Sequence, residues 1–307
     1  MTEATAARAE VPGVTTPVPA RRAVVAAVSA TRPRQWTKNL VLFAGLLFAA
    51  QLGDGARWLE AAAAFCAYCF VASAAYLCND VRDVADDRLH PVKRFRPVAA
   101  GSLAPRSALV LSSVLAAAGL GLAAWLGWRS LAFLLAFALL QLAYTLRLKR
   151  LAFVDIAVIA IFFVIRSAAG AAAVQVRISP WLLACTGLLA LFLGLAKRRG
   201  ELVLRERGGT VGRASLGAYS VSGLDRLLWV TAASAVVAYT AYTLIAHDSR
   251  EMVVTVPLVA AGVGRYLYLV RRRDLGEAPE HVLLSDRVLL ASVAAWVVAA
   301  AVIIGSR

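Results

Sequence analysis

Asn79, Asp80, Asp83 and Asp87 stand together where an apolar run of roughly 20 residues, the length of a membrane span, comes to an end. On a helix Asn79, Asp83 and Asp87 are spaced i, i+4, i+8, and Asp80 lies three before Asp83, so all four share one face. Like charges stacked at that spacing destabilise a helix, so the face calls for a cation. Hard oxygen ligands of this kind suit Mg2+, which commonly divides its coordination between carboxylates and substrate phosphates. We therefore assign Asp80, Asp83 and Asp87 as the catalytic and metal-holding set, with the Asn79 amide as a neutral oxygen that also meets substrate. The plainer alternative is a solvated acidic helix end. It leaves aspartates stacked at a hydrophobic boundary with nothing to offset them, where polar groups usually mark function. Asp86 sits on a slightly different face and stays outside the set.

The frame for these residues is apolar almost from end to end. Hydrophobic residues make up 61% of the 307-residue chain and mean hydropathy is +0.72. Runs fit to cross a bilayer recur at about 37–53, 58–79, 107–128, 130–146, 151–174, 178–196, 226–246, 252–270 and 284–304, each necessarily helical in lipid. The expected fold is an all-α polytopic membrane bundle of about nine spans. Residues 1–22 read as a disordered tail, 23–31 as a short surface helix, and 23–307 as one membrane domain.

Net charge is +15, from 33 Lys and Arg against 18 Asp and Glu. Most of the basic residues fall in 1–38, 80–106, 147–150, 197–226 and 265–287, whereas the opposite side holds only Arg57, Arg129, Arg177, Arg250 and Arg307. That asymmetry places the first set, and the aspartates with it, on the cytoplasmic side of a cell membrane. Topology thus accounts for most of the charge, with some left over for anionic ligands, and nucleic acid is not an expected partner. Cys66 and Cys69 form a CxxC inside an apolar helix, where small buried side chains are the ordinary meaning. Stretches of small residues such as 168–173 permit close helix packing, and a homo-oligomer, without requiring one.

The pattern NDxxDxxxD at the end of a second span, with long charged loops after the second and sixth spans, resembles the UbiA superfamily of intramembrane prenyltransferases. The resemblance implies a helical bundle with a central cavity open to the cytoplasm, in which the first motif holds Mg2+ and the donor's diphosphate. A second motif, usually another aspartate pair, would hold a further Mg2+. Here the chain departs: Leu195–Ser220 reads LAKRRGELVLRERGGTVGRASLGAYS, with Glu201 and Glu206 but no aspartate, and with Lys197 and five arginines. Where the usual member binds a cation, this chain supplies cations. RPRQWTKN, YTLRLKR, FFVIRSAAGAAAV and LAKRRGEL, in that order, resemble a branch that moves 5-phosphoribose instead of a prenyl group. Its donor is 5-phosphoribosyl 1-diphosphate and its acceptor a polyprenyl (decaprenyl) phosphate. It feeds cell-wall arabinan synthesis.

On that resemblance Lys197, Arg198 and Glu201 are expected to meet the donor. Tyr144 and Lys149 would touch diphosphate or acceptor, or serve as interfacial anchors. Lys38, with Arg32 and Arg34, would receive the lipid phosphate or snorkel as anchors. Arg166 lies mid-span, where a cation needs a cavity or a partner; Asp155, eleven residues earlier on about the same face, is a candidate partner, and ligand is the alternative. His90, His247 and His281 form no catalytic arrangement. Two other functions stay open: an ordinary prenyl transfer to an aromatic or lipid acceptor, and carriage or flipping of an anionic lipid.

Overall fold

A computed structural model describes residues 20–48, 53–208, 214–245, 250–276 and 279–305. Most of the expected tail 1–22, together with His247 and Arg213, lies outside the described residues. Twelve α-helices follow in order: α1 (Ala20–Ala30), α2 (Ala44–Phe48), α3 (Gly55–Arg82), α4 (Val84–Leu89), α5 (Pro105–Trp125), α6 (Trp128–Leu146), α7 (Val154–Ala173), α8 (Pro180–Glu206), α9 (Val221–Ile245), α10 (Val256–Arg273), α11 (Pro279–Ser285) and α12 (Arg287–Gly305). No strand occurs among the described residues.

Eight of the expected spans are long, apolar helices: α3, α5, α6, α7, α8, α9, α10 with its preceding turn, and α12. The first expected span, 37–53, is different. It enters as a 3-10 segment, Pro33–Phe43, and continues as the single α-turn pair of α2. The reason is close contact with α7: a Cβ on Gly170 would lie 2.0 Å from the Leu42 carbonyl oxygen, so the two backbones touch only because residue 170 is glycine. Gly127, with φ +106°, makes the tight turn that separates α5 from α6.

Neighbour follows neighbour around the bundle. The first segment packs on α3 and α7, then α3 on α5, α5 on α6, α6 on α7, α7 on α8, α8 on α9, α9 on α10 and α10 on α12, which returns to α2. Two cores result. Tyr68, Val71, Leu134, Phe137 and Phe162 fill the half built by α3, α5, α6 and α7, while Phe192, Leu228, Tyr266 and Leu289 fill the half built by α8, α9, α10 and α12. Outward faces stay greasy: Val110, Val114, Leu139, Val237, Val298 and Val302 are exposed, the arrangement lipid requires. The chain is a multi-pass membrane protein.

Candidate active site

The aspartate motif is built by the last turn of α3 and by α4, with a kink between them at Asp83. Helical hydrogen bonding runs through it, from the Asp83 N–H to the Asn79 carbonyl and from the Asp87 N–H to the Asp83 carbonyl, both 2.9 Å. The kink nevertheless ends the shared face. Asp80 and Asp87 are buried and converge on one atom, Nη1 of Arg96, at 3.3 and 2.7 Å. Arg32 also donates to Asp80 Oδ1, its guanidinium 4.6 Å over the Tyr76 ring, and Lys93 Nζ stands 3.9 Å from Asp87 Oδ1.

Asp83 does not join them. Its carboxylate turns to Arg82 (2.8 Å), whose hydrogen bond, assisted by the charges of Lys149 and Lys93, holds it below the usual carboxylate range. Asn79 faces a small cavity of about 190 Å3 between α3 and α6, beside Gln141 and Thr145. The four expected residues thus divide into a convergent pair, Asp80 and Asp87, with Asp83 and Asn79 to either side, because the chain bends at Asp83. No cluster of three or more metal-ligating side chains occurs among the described residues. The pair still fits Mg2+: two buried carboxylates aim at one point that a cationic nitrogen now fills, and a divalent ion suits the same oxygens.

Arg96 and Lys93 were not assigned from sequence, although both lie in the charged stretch that follows the motif. They reach back nine and six residues through a loop, a geometry no helical spacing encodes.

Tyr144 lies in the last turn of α6, and Lys149 in the turn after it comes close to the motif. The Tyr144 ring stacks edge-on against Phe162 at 5.9 Å, and Lys149 is near enough to Asp83 to bias its ionisation. Lys38 donates to Gln35. Arg166 is not partnered by Asp155, since eleven residues of helix put about 16 Å between them along the axis. Instead its Nε donates to Asn39 Oδ1 (2.7 Å) and its Nη1 to the Phe162 carbonyl, with the guanidinium 4.6 Å over Phe137. Arg166 thus ties α7 to the 3-10 segment.

The second loop's residues divide in two. Arg198 is wholly buried; its Nε donates to Asp155 Oδ2 (2.8 Å) and its Nη1 to Glu201. Asp155 also accepts from Tyr219 (2.8 Å), whose hydroxyl burial pushes up to about 12, keeping it a donor, and Ser215 adds a longer contact. Arg198 and Glu201, expected to meet the donor, stand here in a buried ion cluster with Asp155 that joins α7 to α8. Lys197 is the exception. It is half-buried and has no hydrogen-bond or ion-pair partner among the described residues. The turns Leu148–Arg150 and Ala214–Ala218 are in contact, so the α6–α7 turn that carries Lys149 meets the second loop.

Comparison with known proteins agrees with this architecture. A family model described as the UbiA prenyltransferase family matches residues 39–293. A protein of Mycolicibacterium smegmatis named decaprenyl-phosphate phosphoribosyltransferase is 37% identical over 295 residues, covering 91% of this chain and 92% of its own length. A protein of the same name from Mycobacterium tuberculosis is 38% identical over 300 residues, covering 94% and 97%. Among solved structures, a UbiA homolog from Archaeoglobus fulgidus bound to GPP and Mg2+ superposes with a TM-score of 0.70 at 17% identity, over 92% of this chain and all of that one.

Proposed function

The chain belongs to the UbiA prenyltransferase family and is a transferase, and from that premise we propose that it moves 5-phosphoribose from 5-phosphoribosyl 1-diphosphate to a polyprenyl phosphate, on the cytoplasmic side of the cell membrane. The observation that carries the reading is the charge balance of the site. One buried aspartate pair, Asp80 and Asp87, is ringed by Arg32, Lys93 and Arg96, and the second loop carries Lys197, without a partner among the described residues, where an aspartate pair would serve an ordinary prenyl diphosphate. A donor with a diphosphate and a separate 5-phosphate, and an acceptor with a phosphate of its own, needs those cations. The likeness in sequence to the two phosphoribosyltransferases supports the same reading.

Asp80 and Asp87, with Asp83 and Asn79 brought in from either side, would hold Mg2+. Bound by these residues, Mg2+ would supply the charge that a leaving diphosphate needs. Arg96 and Arg32, released from the carboxylates, swing onto phosphate oxygens, where arginine binds in a bidentate manner. Lys149 approaches from the α6 turn beside the diphosphate. Lys197 takes the 5-phosphate, and the Arg198–Asp155–Glu201 triad fixes the helix from which it projects. An acceptor phosphate oxygen attacks the anomeric carbon as the bond to diphosphate breaks, and diphosphate leaves with the electron pair. That acceptor is already ionised at neutral pH, so no general base is required. A single displacement inverts the α-linked donor to a β-linked product.

The test offers purified protein either ribose-labelled 5-phosphoribosyl 1-diphosphate with polyprenyl phosphate, or a prenyl diphosphate with an aromatic acid. Label from the first pair entering the organic phase, with no turnover of the second, is the expected result; the reverse returns the protein to ordinary prenyl transfer.

A further inference from the structure

Beside the aspartate pair a groove of about 470 Å3 separates α1 from the loop that follows α4, with Arg21, Arg22 and Val25 on one wall and Phe95, Pro97 and Ser102 on the other. Neither arginine has a partner among the described residues. α1 buries Ala26 and Ala30 against Leu77, Val98 and Leu103, and its opposite face leaves Val24, Val25 and Val28 exposed. Arginines at one end and valines along an open face are the pattern of a helix lying in a membrane interface. Phe95, 70% exposed, continues the apolar wall, and between Phe95 and Pro97 stands Arg96, the residue gripped by Asp80 and Asp87. The groove therefore runs between an interfacial helix and the loop segment that carries Arg96 to the aspartate pair.

We propose that this groove receives the acceptor, a lipid phosphate monoester. Arg21 and Arg22 take the phosphate, and the first isoprene units lie along Val25 and Phe95 before the head advances to Arg96. The assignment rests on the proposed reaction, which requires such an acceptor. Charge complementarity and the apolar wall argue for it jointly: two guanidiniums without a partner among the described residues suit an oxyanion, and a free phosphate or the wholly polar donor gains nothing from valine and phenylalanine.

The experiment measures binding without turnover, with the full chain in phosphatidylcholine nanodiscs titrated with tritiated polyprenyl phosphate. Saturable binding by the wild type is expected, weakened about 10- to 30-fold in the Arg21→Ala/Arg22→Ala double variant, as for two interfacial cations. The Arg21→Lys/Arg22→Lys variant should stay within about threefold, since lysine keeps the point charge. Arg129→Ala, at the far end of the bundle, should match the wild type. In turnover, KM for polyprenyl phosphate should rise by the same factor while KM for 5-phosphoribosyl 1-diphosphate holds, which also shows that the double variant is folded. Equal binding by wild type and double alanine variant overturns the groove and leaves the acceptor reading standing. Absence of wild-type binding overturns both, and displacement by an equal amount of phosphatidylglycerol shows a general lipid site and overturns the groove.

Discussion

Arg198 and Asp155 meet 2.8 Å apart across 43 residues of sequence, with their side chains 1% and 0% exposed. A pair so enclosed is costly to break from one side, because the remaining charge keeps its burial and loses its partner. In Arg198→Met two carboxylates, Asp155 and Glu201, lose their common arginine. The expected loss is about 3–5 kcal/mol of stability, seen as a lower unfolding temperature in detergent. Lys197, one residue earlier, has no partner among the described residues to lose. Lys197→Ala should unfold within about 0.5 kcal/mol of the wild type, while kcat/KM for the donor falls about 10- to 100-fold, the worth of a cation on a phosphate. Adjacent residues would then show opposite phenotypes, and loss of both properties in both variants would contradict the division of labour.

Arg96 holds Asp80 and Asp87 at 3.3 and 2.7 Å and is itself 31% exposed. Without Mg2+, Arg96→Ala leaves two buried carboxylates facing each other. The expected cost is about 2 kcal/mol, below that of a fully buried pair because solvent reaches the guanidinium. Added Mg2+ should restore most of it, so the metal-induced rise in unfolding temperature should be larger in Arg96→Ala than in the wild type and absent in Asp80→Asn/Asp87→Asn. Equal rises in all three would remove the pair as the metal site.

Acid sensitivity has a readable contributor at the start of α12. The Asp286 carboxyl, hydrogen-bonded first of all by Arg265 at 2.7 Å, is held down to about 2. A carboxylate depressed on folding adds stability above its unfolded value near 3.9, and that stability drains away as pH falls through the folded value. The difference in unfolding temperature between wild type and Asp286→Asn should thus be constant above about pH 5, shrink below about pH 4 and close towards pH 2. A difference that widens on acidification would contradict the assignment.

The bundle was readable because lipid allows helices alone, and eight of the expected spans are long helices at the expected places. The aspartate motif was readable because period and composition change together at Asn79. What escaped is pairing between distant segments. Helical spacing put Asp155 on the face of Arg166, yet Asp155 belongs to Arg198, and Arg166 finds Asn39, 127 residues away. Those choices are made by which helices touch, and a face pattern along one helix carries no record of its neighbour. The 3-10 form of Pro33–Phe43 escaped for the same reason, being set by contact with Gly170. The turn of Asp83 towards Arg82 escaped too, because a kink changes a side chain's direction without changing its spacing.

The central claim is a bond made at the anomeric carbon of the ribose. The direct measurement uses 5-phosphoribosyl 1-diphosphate carrying 14C in the ribose and 32P in the terminal phosphate of the diphosphate, incubated with Mg2+, polyprenyl phosphate and purified protein, and extracted into organic solvent. The account predicts lipid containing 14C without 32P, equimolar diphosphate in the water phase, and no product when EDTA is present. Lipid containing 32P, or lipid without 14C, would contradict it.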